Sequence, residues 1–213
     1  MVSLCQLCIF TIRLREKKGQ KMSLLPDLTK EDKKTLLQLA KNSLKTRLFK
    51  GETLSLSSLE KPLSKALNTP YGCFVTLTKN NDLRGCIGTI IPTHSLAQHV
   101  LENILKSAFD DYRFSPVTTE EFDTLHIEIT VLSPNHPIET YKDIELGTHG
   151  IILEKNGHRA LFLPQVAIEH GWTVDETLTH LATKAGLPSD AWQDPDCRFF
   201  VFEGLVFSET DSL

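Results

Sequence analysis

The stretch that decides how this chain is read is Leu83-Arg84-Gly85-Cys86-Ile87-Gly88. It alternates in character as a β-strand does, yet it holds two glycines and sets a cysteine beside an arginine. Side chains two apart on a strand share a face, so strict alternation puts Arg84 and Cys86 on one side. Leu83, Gly85 and Ile87 then fall on the other. Glycine weakens a strand interior and marks a bulge or a close approach of backbone. A thiol near a guanidinium on such a strand is a candidate reactive or ligand-touching group.

Working outward, Cys73 to Thr78 is a second strand-like run, joined to the first by the polar turn Lys79-Asn80-Asn81-Asp82. Leu125 to Leu132 alternates cleanly, with Leu125, Ile127, Ile129 and Val131 on one face and His126, Glu128 and Thr130 on the other. Asn156-Gly157 lies between the apolar runs Ile151–Lys155 and His158–Leu163, a strong hairpin signal. An aromatic strand, Phe199 to Phe207, ends the chain.

Helices are announced by their caps. Thr29-x-x-Asp32 precedes Leu36, Leu37, Ala40, Leu44 and Leu48 at helical spacing, and Gly51 closes them. Ser95-x-x-Gln98 opens a second helix, Pro164 to His170 a helical turn, and Thr173-x-x-Glu176 a last helix ended by Gly186 and Pro188. Residues 52–70 lack periodicity and read as a packed connection. Because strands arrive in hairpins and not in strand–helix–strand alternation, the expected class is α+β with a mainly antiparallel sheet and flanking helices.

Composition narrows function. The 213 residues are 40% hydrophobic and 23% charged, as in ordinary globular proteins. The net charge of −4 speaks against nucleic-acid binding, and no apolar run is long enough to span a bilayer. Residues 1–21 carry Arg13, Arg15, Lys17, Lys18 and Lys21 against Glu16, a net of +4 that leaves −8 for the remainder. Their charges follow an apolar run where a secretory signal would place them first. Met22 starts a more natural opening, so residues 1–21 read as a doubtful extension and 22–213 as a single domain. Five cysteines, Cys5, Cys8, Cys73, Cys86 and Cys197, are too few and too odd for a disulfide scaffold and suit a reducing cytoplasmic setting.

Cys86 has two readings, a thiolate favoured by Arg84 and acting as nucleophile, or a small buried hydrophobe. Arg113, beside Asp110 and Asp111, either binds an anionic ligand or pairs with its neighbours. Glu128 is a candidate base or a partner for Arg84 across the sheet, and His149, between Thr148 and Gly150, is the first histidine to inspect. Gly85, Gly88 and Gln165, the last in Leu163-Pro164-Gln165, are candidate binding positions. Trp172 reads as a core anchor. There is no phosphate loop, dinucleotide turn, nucleophile elbow or zinc motif, so neither cofactor nor metal is expected.

Taken in order, Phe74-Val75-Thr76-Leu77, Leu83 to Gly88, Asp111-Tyr112-Arg113-Phe114, Ile127-Glu128-Ile129, His149-Gly150, Leu163-Pro164-Gln165-Val166, Gly171-Trp172 and Lys184-Ala185-Gly186-Leu187 resemble the AMMECR-one family. Its stand-alone bacterial and archaeal form is called AmmeMemoRadiSam system protein A. The resemblance runs over residues 30–207. It implies a larger and a smaller subdomain around a cleft lined by the Arg84/Cys86 strand. It also implies partnership with Memo-like and radical S-adenosylmethionine proteins, as an accessory or substrate-binding component for a small molecule or peptide. Two departures stand out: Tyr112 replaces the family's usual proline, and Ala182 a common cysteine, which weakens any two-cysteine scheme.

Overall fold

The computed structural model describes residues 25–59 and 61–211, so the basic extension and the pair Cys5/Cys8 lie outside the described residues. Helix α1 (Lys30–Lys50) starts as its sequence dictates. The Asp32 amide donates to Thr29 Oγ1 at 3.1 Å and the Thr29 amide donates back to Asp32 Oδ2 at 3.0 Å. Gly51, at φ 71°, ends it in the left-handed conformation that glycine adopts without strain. In the connection that follows, residues 65–68 form a short helix, α2 (Lys65–Asn68).

Strands β1 (Cys73–Lys79) and β2 (Asp82–Thr89) form the expected hairpin, with Asn80 and Asn81 both at positive φ in the two-residue turn. Helix α3 (Leu96–Phe109) and strand β3 (Leu125–Leu132) follow. Then come the short β4 (His136–Ile138) and the hairpin β5 (Gly150–Lys155) and β6 (His158–Phe162). Helices α4 (Pro164–His170) and α5 (Val174–Lys184) precede β7 (Arg198–Phe202) and β8 (Gly204–Ser208). Among the described residues all strand pairings are antiparallel, in two four-stranded sheets ordered β2-β1-β3-β8 and β4-β7-β5-β6. The fold is α+β, as the hairpin pattern implies.

The aromatic C-terminal segment is two strands, one in each sheet. The chain changes sheets at Glu203, whose amide donates to Ser133 Oγ at 2.9 Å while its carbonyl accepts from the Ser133 amide at 2.9 Å. A tertiary contact breaks what reads locally as one strand.

One face of the first sheet is sealed. Val75, Leu77, Ile127, Ile129, Val131 and Phe207 pack there with Leu36, Leu44, Val100 and Ile104 of α1 and α3. In the second sheet, Ile151, Leu153, Phe199 and Val201 turn toward Leu178, Leu181 and Ala182 of α5. The intervening residues Ile152 and Phe202 point the other way and meet Leu132 and Phe74. The second sheet therefore lies on the other face of the first, at its Phe74 end.

Candidate functional site

Strand register defines what is left uncovered. Cys86 faces Thr76 across β2–β1, Thr76 faces Glu128 across β1–β3, and Glu128 faces Ser208 across β3–β8. The next row is Gly88, Phe74, Thr130 and Val206. Phe74 packs against the second sheet, and Cys86, Thr76 and Glu128 are partly buried without packing in that cluster. Two interstrand spacings separate the Cys86 and Glu128 backbones, about 10 Å. The Thr76 hydroxyl lies between them and donates to Cys86 Sγ at 3.4 Å.

The glycines of the opening motif belong to packing. Ser107 of α3 inserts its hydroxyl into the β1–β2 ladder, donating to the Val75 carbonyl at 2.6 Å and accepting from the Ile87 amide at 2.8 Å. A Cβ at Gly85 would run into the Ser107 carbonyl oxygen, and one at Gly88 into the Phe74 ring. A helix wedged into a ladder needs a strand without side chains at that point. These two glycines thus admit α3 and Phe74.

Arg84 departs from strict alternation. Leu77 pairs with Gly85 and Thr78 with Leu83, which leaves Arg84 bulged out of register. Its guanidinium grips Glu121 through Nε at 3.0 Å and Nη2 at 2.9 Å, with side-chain exposures of 13% and 15%. The ion pair with Glu128, one of the two readings of that glutamate, does not form. Lys79 adds a third donor to Glu121 at 3.1 Å. With the Arg84 hydrogen bonds foremost, Glu121 is held down to about 2.

A second pair closes beside Cys86. Arg113 donates to Asp111 through Nε at 2.9 Å and Nη2 at 2.7 Å, and the Asp111 side chain is 2% exposed. Asp111 also accepts from the Cys86 amide at 2.9 Å, and Arg113 Nη2 donates to the Cys86 carbonyl at 3.4 Å. The Arg113 bonds hold Asp111 far below the usual carboxylate range. Arg113 is thus occupied by its neighbour, one of its two expected roles.

At the other end of the row the carboxylates have no such partners. Among the described residues Glu128 makes no side-chain hydrogen bond or ion pair, and burial, followed by repulsion from Asp211, raises its pKa. It borders a hollow of about 580 Å³ with Thr130, Thr148, Gln165, Glu169 and Glu203. Glu128 and Gln165, predicted separately, are brought together here. Thr130, Glu169 and Glu203 were not singled out by sequence; Thr130 alone had a signal, sharing the alternating face of Glu128.

His149 joins neither end. It is buried, and its Nδ1 accepts from the Glu145 amide at 3.1 Å. Cys73 and Cys197 are pushed up by burial to about 12 and about 11, so neither is a ready thiolate. Trp172 is only half-buried, stacked between His170 at 4.4 Å and His180 at 4.1 Å instead of anchoring a core. Among the described residues one group, His94, His99 and Glu102, has ligand atoms close enough for an ion. There His99 Nε2 already accepts from the Thr93 and His94 amides at 3.1 Å, so its lone pair serves the loop.

The family model described as AMMECR1 matches residues 37–207, a span that takes in nearly all of both sheets and includes Cys86, Thr76 and Glu128. The chain belongs to the AMMECR1 family. It is 42% identical to Protein NEQ441 of Nanoarchaeum equitans over 69% of this chain and 86% of that protein. It is 38% identical to Protein MK0488 of Methanopyrus kandleri over 86% and 91%. The fold is that of the crystal structure of uncharacterized protein PH0010 from Pyrococcus horikoshii, with a TM-score of 0.73 and 36% identity over 83% of this chain and 90% of that one. No described helix is long and apolar enough to cross a membrane.

Proposed function

We propose that this AMMECR1-family chain is a binding module, an accessory or substrate-binding component working with Memo-like and radical S-adenosylmethionine proteins in the cytoplasm. Its ligand surface is the uncovered row Cys86–Thr76–Glu128 together with the cleft beyond Glu128. The observation that carries this reading is the half-buried, unpaired Glu128 at the edge of a hollow, on a sheet face the second sheet leaves open. Binding sites retain polar groups that folding leaves unsatisfied and a ligand completes.

A cysteine enzyme is the second reading, and the partly exposed Cys86 thiol beside the Thr76 hydroxyl favours it. A nucleophile needs a base within hydrogen-bond reach. His149 is engaged elsewhere and Glu128 lies two strands away, so the module accounts for more of the geometry.

Pulldown of the two partner proteins with the full-length chain decides between them. Association that survives Cys86→Ala and is lost in Thr76→Arg, with the fold intact, is the expected result. Loss of association in Cys86→Ala alone, or none in the unmodified protein, would overturn it.

A further inference from the structure

Five features of the hollow beside Glu128 identify the chemistry of what it holds. The first is charge: Glu128, Glu169 and Glu203 border it, and among the described residues no lysine, arginine or histidine does. Two acids flanking these strands are otherwise accounted for, since Glu209 pairs with Lys41 at 2.8 Å and Glu121 with Arg84. The second is the position of Glu128, which sits half-buried with no cation partner among the described residues, an arrangement that costs free energy until a counter-charge arrives.

The third is Thr130. It is 8% exposed, lines the same hollow, and its hydroxyl makes no hydrogen bond among the described residues. The Thr130 oxygen is not among the buried unpartnered atoms of the described residues, so it stays open to the hollow and can accept from a ligand there. The fourth is spread: the three carboxylates do not converge within 4.8 Å of one another as the His94 group does, so they do not form a chelate for a bare ion. The fifth is the wall, where Leu25, Pro164 and Val206 supply apolar surface against which a hydrocarbon stem can lie.

We infer that this hollow takes a protonated alkylamine, such as a lysine side chain or a small polyamine, with Glu128 facing the ammonium and the Thr130 hydroxyl accepting from it. The inference rests on the open face being the ligand surface and adds the class of ligand. The ammonium donates to Glu128 and Thr130, while Glu169 and Glu203 add negative charge around the hollow without sharing the same nitrogen. The methylene stem accounts for the apolar wall, which a bare ion would leave unused.

The test is titration of the isotopically labelled full-length chain, followed by backbone amide NMR shifts at physiological salt. The probes are N-acetyl-lysine amide, its side-chain-acetylated analogue, and putrescine. An amine probe is expected to shift Glu128, Thr130, Gly204 and Val206, and the neutral acetylated analogue to bind roughly tenfold more weakly, one charge pair in a partly buried setting. Binding of the lysine probe alone marks a side chain as the source, binding of putrescine alone a free polyamine, and either supports the inference. Glu128→Gln should erase most of the preference for charge, and Glu203→Gln only part of it. Equal binding of the charged and acetylated probes, no amine-induced shifts at these four residues, or an unchanged preference in Glu128→Gln would overturn it. If the partner proteins still associate while the preference for charge is absent, this inference falls alone and the module stands.

Discussion

The two ends of the uncovered row on the first sheet treat charge in opposite ways. At the Cys86 end, Arg84 closes on Glu121 and Arg113 on Asp111, each through two hydrogen bonds, and both carboxylates are held well below their usual range. At the Glu128 end a carboxylate of similar chemistry is partly buried without a partner and its pKa is raised. Folding satisfies the first set of charges and leaves the second for something else. The charges of a motif rich in functional residue types are therefore taken up within the fold, and a plain strand glutamate is the carboxylate left without a partner among the described residues.

The largest effect that can break this comparison is at Gly85. Gly85→Ala drives a methyl group into the α3 backbone at Ser107, and a loss of about 3 kcal/mol or more in urea unfolding is expected. A loss below about 0.5 kcal/mol would mean the glycine is not there for packing.

Next is Arg84→Met, which strands Glu121. Removing one partner of a largely buried pair costs about 3 kcal/mol. The pair also sets a pH dependence. Glu121 is depressed from 4.5 to about 2, so its contribution is fully present above pH 4.5 and is lost as pH falls toward 2. That contribution is on the order of 2 kcal/mol. Acid titration of stability should show this loss in the unmodified chain and much less of it in Arg84→Met. Identical acid profiles would place the charge balance elsewhere.

At the open end the sign reverses. Because the Glu128 pKa is raised, its folded-state penalty is absent below pH 4.5 and grows as pH rises through the folded value. Glu128→Gln should therefore stabilise the unliganded protein at pH 7 by up to about 1 kcal/mol, read as a higher Tm, with no gain near pH 4. A destabilised Glu128→Gln would show that the carboxylate has a structural partner after all, and the contrast between the ends would dissolve.

The smallest effect belongs to Cys86. Its side chain is partly exposed and bonds only to Thr76 Oγ1, so Cys86→Ser is expected within about 0.5 kcal/mol of the parent. A loss of several kcal/mol would move the thiol into the core.

Much of the fold was legible along the chain. The Thr29 and Thr173 capping boxes, the hairpin at Asn156-Gly157, the alternation of β3 and the α+β class all depend on residues a few positions apart. The misreadings share one cause. Alternation paired Arg84 with Cys86 and offered Glu128 as partner, but a bulge re-aimed the guanidinium. Phe199 to Phe207 looked continuous until Ser133 captured the backbone of Glu203. In each case a contact from another element overrode the local pattern.

Caps, turns and periodicity act over one helical turn or one strand pair, and for that reason the linear chain by itself determined most of the elements, the α+β class and the family to which the chain belongs. Which charges are neutralised was settled only when the chain closed on itself: Arg84 meets a residue in the segment after α3, and the hollow draws on strand β3, helix α4 and the crossing at Glu203. Electrostatics and burial depend on distance in space, and no spacing along the chain encodes that distance.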